Sequence, residues 1–212
     1  PVGREKVHYE APDPLLIAPL MKDFLQWLNE DESQDPLAKA GTAHLWFLTI
    51  HPFDDGNGRV ARALTELLLA RSDHANRRFY CMADYILKHR SSYYDVLERA
   101  QKGASDITRW LLWFLEAVTA SARESEGKAK AAIERVRLWE SLSGVALNER
   151  QRIMLHRLKG DFEGNLTARK WAKICKVSSD TALRDINDLI AKGVLQRASR
   201  GGRSTAYVLV KR

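Results

Sequence analysis

His51-Pro52-Phe53-Asp54-Asp55-Gly56-Asn57-Gly58-Arg59-Val60-Ala61-Arg62 lies between two apolar segments, and its reading decides the fold. The residues before it, Leu37 to Ile50, form a nearly continuous apolar run opened by Asp35-Pro36, which predicts a buried helix ending near His51. After it, Val60, Ala61, Leu64, Leu67 and Leu68 recur at helical spacing, so a second helix is expected from about Asn57 or Gly58. Gly56 and Gly58 allow a sharp turn and a close backbone approach, and the N-terminus of the new helix offers free N–H groups and the positive end of its dipole to an anion. Phosphate fits such a place. Arg59 and Arg62, three residues apart, are expected on one helical face where they can hold polyphosphate oxygens. Asp55 would repel a phosphate unless a Mg²⁺ ion bridges them, and His51 can take a proton from an attacking hydroxyl. Taken piecemeal, the acidic glycine run also reads as a surface turn or as part of a calcium loop lacking its bidentate Glu, and the histidine as a helix cap.

As one contiguous unit the stretch resembles the signature of the Fic (Fido) family, His-x-Phe-x-Asp/Glu-Gly-Asn-Gly-Arg-x-x-Arg, at His51, Phe53, Asp55, Gly56, Asn57, Gly58, Arg59 and Arg62. The resemblance spans roughly residues 1 to 120. It implies a Fic helical bundle and a protein adenylyltransferase that moves AMP from ATP to a Ser, Thr or Tyr hydroxyl of a target protein or of itself, releasing pyrophosphate. It also implies roles: His51 as general base, Asp55 as the Mg²⁺ ligand, Gly56, Asn57 and Gly58 as the phosphate cradle, Arg59 and Arg62 on the outer phosphates, and Phe53 as the anchor of the loop in the core. The same fold could instead remove AMP or use another nucleotide donor, or serve a transcriptional regulator that only senses a nucleotide.

Towards the N-terminus, Arg4 to Glu10 shows no helical period and precedes Ala11-Pro12-Asp13-Pro14, so a short extended segment or hairpin is expected. In the family a β-hairpin flap at this place pairs with the target's backbone, which makes Val7, His8 and Tyr9 target-docking candidates. A helix is predicted to open at Pro19, with Leu20, Met21, Phe24, Trp27 and Leu28 facing the core. His44, among apolar neighbours, is read as structural. Downstream, a helical pattern from about Asp84 to Lys102, broken near Arg90 to Ser92, carries Tyr93 and Tyr94. By periodicity these are packing residues, whereas the resemblance places them at the adenine pocket, with Gln101 as a further candidate. Ile107, Trp110, Leu111, Phe114 and Val118 form the next helical stripe, and an alanine-rich charged helix continues to Leu142 with Gly127 as its expected interruption.

Charge divides the chain. Residues 144–212 hold 15 Lys/Arg against 6 Asp/Glu, whereas the first 143 hold 19 against 21, so the net +7 resides in the C-terminal segment. Domains are accordingly expected at 1–143, catalytic, and 144–212. In the latter, Asn148, Thr167 and Ser178 cap three helices, Gly193 stops the third, and two short strands flank Arg200-Gly201-Gly202-Arg203. This order resembles a winged helix-turn-helix. Its expected DNA contacts are Thr181, Arg184 and Asn187 on the third helix and Arg197, Arg200 and Arg203 on the wing, with Leu183, Ile186, Leu189 and Ile190 facing inward. Asp180, Asp185 and Asp188 would dilute the positive face. A role in dimerisation or target docking is the alternative, so DNA or a second copy of the chain is a possible partner.

With 45% hydrophobic and 29% charged residues the composition is that of a globular protein. No apolar run approaches the roughly 18 residues of a membrane span, and two distant cysteines, Cys81 and Cys175, fit a cytoplasmic setting. Family members are often restrained by a helix bearing Ser/Thr-x-x-x-Glu-Gly/Asn, whose glutamate pairs with the arginine corresponding to Arg62. Glu126-Gly127 and Glu163-Gly164 lack the hydroxyl residue, having Ala122 and Lys159 instead, so the restraint is expected from an N-terminal region or a partner.

Overall fold

The computed structural model describes residues 9–73, 80–103, 106–160, 162–198 and 205–210. Among them the protein is mainly α-helical, with nine helices and one two-stranded antiparallel sheet. Its contacts group into two compact units, residues 1–126 and 127–212.

In the first unit, α1 (Pro14–Glu30) starts a turn and a half earlier than Pro19 predicts. Asp13 accepts from the Leu15 N–H and Pro14 occupies the first turn, so the Asp-Pro pair that reads as a loop is in fact the cap. Pro19 therefore lies inside the helix and withholds one backbone donor. The cap of α2 (Pro36–Ile50) follows the same chemistry, and here it is where the sequence indicates: Asp35 accepts from the N–H groups of Leu37 and Ala38, ahead of Pro36. α2 is the central helix. Ala40, Ala43, Phe47, Leu48 and Ile50 are buried against α1, α3 (Asn57–Ser72), α5 (Arg90–Lys102) and the first part of α6 (Thr108–Ser141). The Trp110 indole donates to the Gly41 carbonyl at 2.8 Å, tying α6 to the middle of α2. α4 (Met82–Lys88) and α5 meet at His89, one residue from the break that the sequence predicts.

α6 runs unbroken through Gly127, contrary to the expected interruption. A glycine costs a helix only about 1 kcal/mol relative to alanine, and good helix formers surround this one. Tyr9 is described, but Val7 and His8, and with them most of the expected flap, lie outside the described residues.

The second unit buries Leu142, Met154, Leu155, Trp171, Ile186 and Leu189 among α7 (Glu149–Leu158), α8 (Ala168–Cys175), α9 (Ser179–Ala191) and a hairpin of β1 (Leu195–Arg197) with β2 (Tyr207–Leu209). Asn148 and Gln151 close a reciprocal capping box on α7, Thr167 caps α8 and Ser178 caps α9. Two readings of α9 change. Leu183 faces solvent, and Ala182 and Asp185 take the inward positions. Asp185 tolerates burial because Arg150 pairs with it at 2.7 Å and Asn148 donates at 2.9 Å.

Candidate active site

α2 ends at His51, which adopts a left-handed conformation, φ 52° and ψ 55°. For a non-glycine residue this is an uncommon backbone state, held here by the helix before it and the turn after it. The turn is closed from inside. Asn57, buried, accepts from the Phe53 N–H at 3.1 Å with its side-chain oxygen and donates to the Phe53 carbonyl with its amide. Its side chain thus braces the loop. Phe53 itself packs tilted against Phe47, ring centroids 6.3 Å apart, and stays 51% exposed, so Asn57, rather than a buried Phe53, anchors the loop.

Gly56, at φ 92°, is the residue before α3, and no side chain caps that helix. A β-carbon on Gly58 would come within 3.3 Å of the Arg62 guanidinium, so glycine keeps the helix start open. The unclaimed N–H groups of the first turn and the helix dipole make this end attractive to anions.

The two arginines part company here. Arg59 turns back to Asp55 in an exposed ion pair of 2.8 Å, and Asp55 also accepts from the Gly56 N–H at 2.7 Å. Arg62 is half-buried and carries no ion pair among the described residues. It lines a cleft of about 360 Å³ together with Tyr9, His51, Gly58, Tyr93, Tyr94 and Gln101, all singled out in the sequence, and with Ala11, Leu48 and Leu97, which were not. Tyr9 donates to the Thr49 carbonyl at 2.7 Å, and Gln101 donates to the Leu48 carbonyl at 3.2 Å, so both are pinned to the last turn of α2. His51 Nδ1 lies 3.4 Å from the same Leu48 oxygen. Tyr94 is 46% exposed, edge-on to Tyr93 and beneath the Arg90 guanidinium.

Behind the cleft, His44 is wholly buried, and burial followed by the Arg62 charge pushes its imidazole down to about 3. Burial likewise pushes the Tyr93 phenol well above its ordinary value. Sequence reasoning placed His44 correctly in the interior. Its partners, Thr65 and Tyr93, are 21 and 49 residues away and carry no local signal.

The helical bundle thus presents a cleft lined by a histidine, an arginine without an ion pair among the described residues, and a helix N-terminus that no side chain caps. Residues 1–69 match the model of the Fic/DOC family, and the chain carries a Fic/DOC family domain. It is 31% identical over 96 residues to a probable protein adenylyltransferase of Aquifex aeolicus (strain VF5), covering 45% of this chain and 28% of that one. It is 38% identical over 94 residues to the protein adenylyltransferase Fic of Culex quinquefasciatus, covering 43% of this chain and 18% of the relative. The chain therefore spans less than a third of the length of these curated relatives. A solved Fic family protein from Desulfovibrio desulfuricans G20 shares the fold at a TM-score of 0.52 and 22% identity, over 98% of this chain and 59% of that one.

Proposed function

We propose that the protein transfers AMP from ATP to a Ser, Thr or Tyr hydroxyl of a target protein or of itself. The observation that carries this reading is Arg62: a half-buried guanidinium without an anionic partner among the described residues, set in the same cleft as His51 and the open start of α3. Lining the cleft without such a partner, it is placed to meet the counter-charge of a phosphorylated ligand. That the curated relatives are named protein adenylyltransferases supports the same reading.

In this scheme the polyphosphate lies along Arg62, Arg59 and the backbone of residues 56 to 58, and the adenine enters between Tyr94, Tyr93 and Leu97. If His51 donates its Nδ1 proton to Leu48, Nε2 is left as the acceptor. It takes the proton of the target hydroxyl, whose oxygen bonds to the α-phosphorus while the bond from that phosphorus to the bridging oxygen breaks. Pyrophosphate leaves. Orientation and charge stabilisation supply the remaining acceleration.

Asp55 fits a Mg²⁺ role. Among the described residues no cluster of three acidic, histidine or cysteine side chains forms a metal cage, and Asp55 is a single, accessible carboxylate at the phosphate end. Mg²⁺ favours such a donor set, one or two carboxylates completed by phosphate oxygens and water. Bound there, it would neutralise charge on the leaving pyrophosphate.

For the second unit we propose DNA binding through α9. The acidic objection weakens because Asp185 is buried and Asp188 is engaged by Lys192 and Gln151, leaving Arg184 and Asn187 exposed beside Leu183, with Thr181 half-buried against Ser178. Arg197 lies on β1, and Arg200 and Arg203 fall outside the described residues. Affinity for duplex DNA that drops steeply with salt supports the proposal; salt-independent or absent binding turns it towards protein docking.

The catalytic proposal is tested by incubating the chain with Mg·ATP and following an added AMP group by mass spectrometry, on itself and on candidate targets. An adduct that needs His51 sustains it. If another phosphate-containing group is added instead, the donor assignment changes; if AMP is removed from a modified target, the direction changes.

A further inference from the structure

Behind the cleft runs a chain of three buried hydrogen bonds that the proposed reaction does not use, and its direction can be worked out. Thr65 Oγ1 donates its one proton to the Ala61 carbonyl at 2.8 Å. It must therefore accept from His44 Nδ1, 2.8 Å away. With its proton on Nδ1, the neutral imidazole presents a lone pair at Nε2, which receives the Tyr93 hydroxyl at 2.9 Å. Every donor in the chain thus has one acceptor. His44, Thr65 and Tyr93 are 0%, 2% and 3% exposed, and His44 also stacks on Trp110 at 5.5 Å.

These three residues sit on α2, α3 and α5, the helices that bring His51, Arg62 and Tyr94 to the cleft. Without an acceptor at position 44, the Tyr93 hydroxyl would be buried and unsatisfied, a state that hydroxyls avoid by turning towards water. Because Tyr93 also lines the cleft, a hydroxyl released from His44 can reach water there. The ring would then swing into the space that a nucleoside needs.

Building on the adenylyl-transfer reading, we propose that His44 is a positioning residue for the nucleotide: it holds the Tyr93 hydroxyl inward and so keeps the cleft open for a planar base. Its contribution is to binding in ground and transition states alike, and so it acts on KM more than on kcat. Its effect passes through one hydroxyl group.

The test is ATP affinity by calorimetry with Mg²⁺ present, together with kcat and KM, for wild type, His44→Phe, Tyr93→Phe and the double variant His44→Phe/Tyr93→Phe. His44→Phe is expected to weaken ATP binding by about tenfold with kcat changed by less than about threefold. Measured against Tyr93→Phe alone, the double variant, which has no hydroxyl to bury, is expected to bind ATP within about threefold, a coupling that a merely structural role for His44 does not produce. Equal affinity of His44→Phe and wild type overturns the inference, as does a double variant about tenfold weaker than Tyr93→Phe. If His44→Phe fails to fold, His44→Gln decides: its side-chain carbonyl can accept from Tyr93, so binding within about threefold of wild type is expected and a tenfold loss overturns the proposal. A wild-type protein that binds no nucleotide overturns the adenylyl-transfer reading itself, and this inference with it.

Discussion

Asp55 meets Arg59 at 2.8 Å and Asp185 meets Arg150 at 2.7 Å, yet the first carboxylate is 91% exposed and the second 6%. Distance is nearly the same; solvent separates the two. Water screens the first pair and competes for both partners, so it opens at little cost and leaves both side chains able to take other partners, as the proposed metal and phosphate roles require. The second carboxylate is stripped of water and holds α7 to α9 through Arg150 and Asn148, which keep its acidity stronger than usual against the opposing effect of burial. An active site needs charges that can change partners, and a core needs charges that cannot.

The largest stability effect should come from the buried side of this comparison. Asp185→Ala is expected to destabilise the second unit by about 2 kcal/mol, at the lower end for a buried charged pair because Arg150 can reach water once released. Thermal or urea unfolding followed by Trp fluorescence checks it. A loss below about 0.5 kcal/mol would show that Asp185 is no more structural than Asp55.

Asn57→Ala comes next. Removing both braces on Phe53 is expected to cost about 1 to 2 kcal/mol and to loosen the loop between α2 and α3, seen as faster amide exchange at residues 53 to 57. Unchanged exchange would mean that the turn is held by its glycines alone.

His44 gives a pH signature. Its folded value of about 3 lies below the unfolded 6.5, so between these values the unfolded chain binds a proton that the folded one refuses. The contribution is fully present above pH 6.5 and drains away as pH falls towards 3, with a slope of at most about 1.4 kcal/mol per pH unit. Unfolding curves for His44→Phe should lack this part of the acid slope; an identical slope in the variant would contradict the buried, neutral imidazole.

Asp55→Ala should have the smallest effect on stability, a midpoint shift of about 1 °C or less, while adenylyl transfer is lost. A large loss of stability would erase the contrast with Asp185.

The sequence revealed those features whose cause is local. Asp35-Pro36, Asn148 with Gln151, Thr167 and Ser178 each carry their cap within three residues, and those helices start where expected. Tyr93, Tyr94 and Gln101 lie in the cleft with His51 and Arg62. What escaped depends on distance or competition. Asp13-Pro14 reads equally as a turn, and only the packing of α1 selects the cap. Asp185 looks like a surface charge until Arg150, 35 residues earlier, is folded against it. Arg59 and Arg62 share helical spacing, but Asp55 stands four residues before Arg59 and draws it aside. The bonds from His44 to Thr65 and Tyr93 join three helices and leave no trace in any one of them.

The proposed AMP transfer requires His51 as its base. The most direct measurement is transfer of label to protein from ATP labelled at the α-phosphate, compared with ATP labelled at the γ-phosphate, for wild type and His51→Ala. Label from the α position only is expected, reduced by about 10² to 10⁴-fold in His51→Ala. Label from the γ position, or α-label that survives loss of His51, would contradict it.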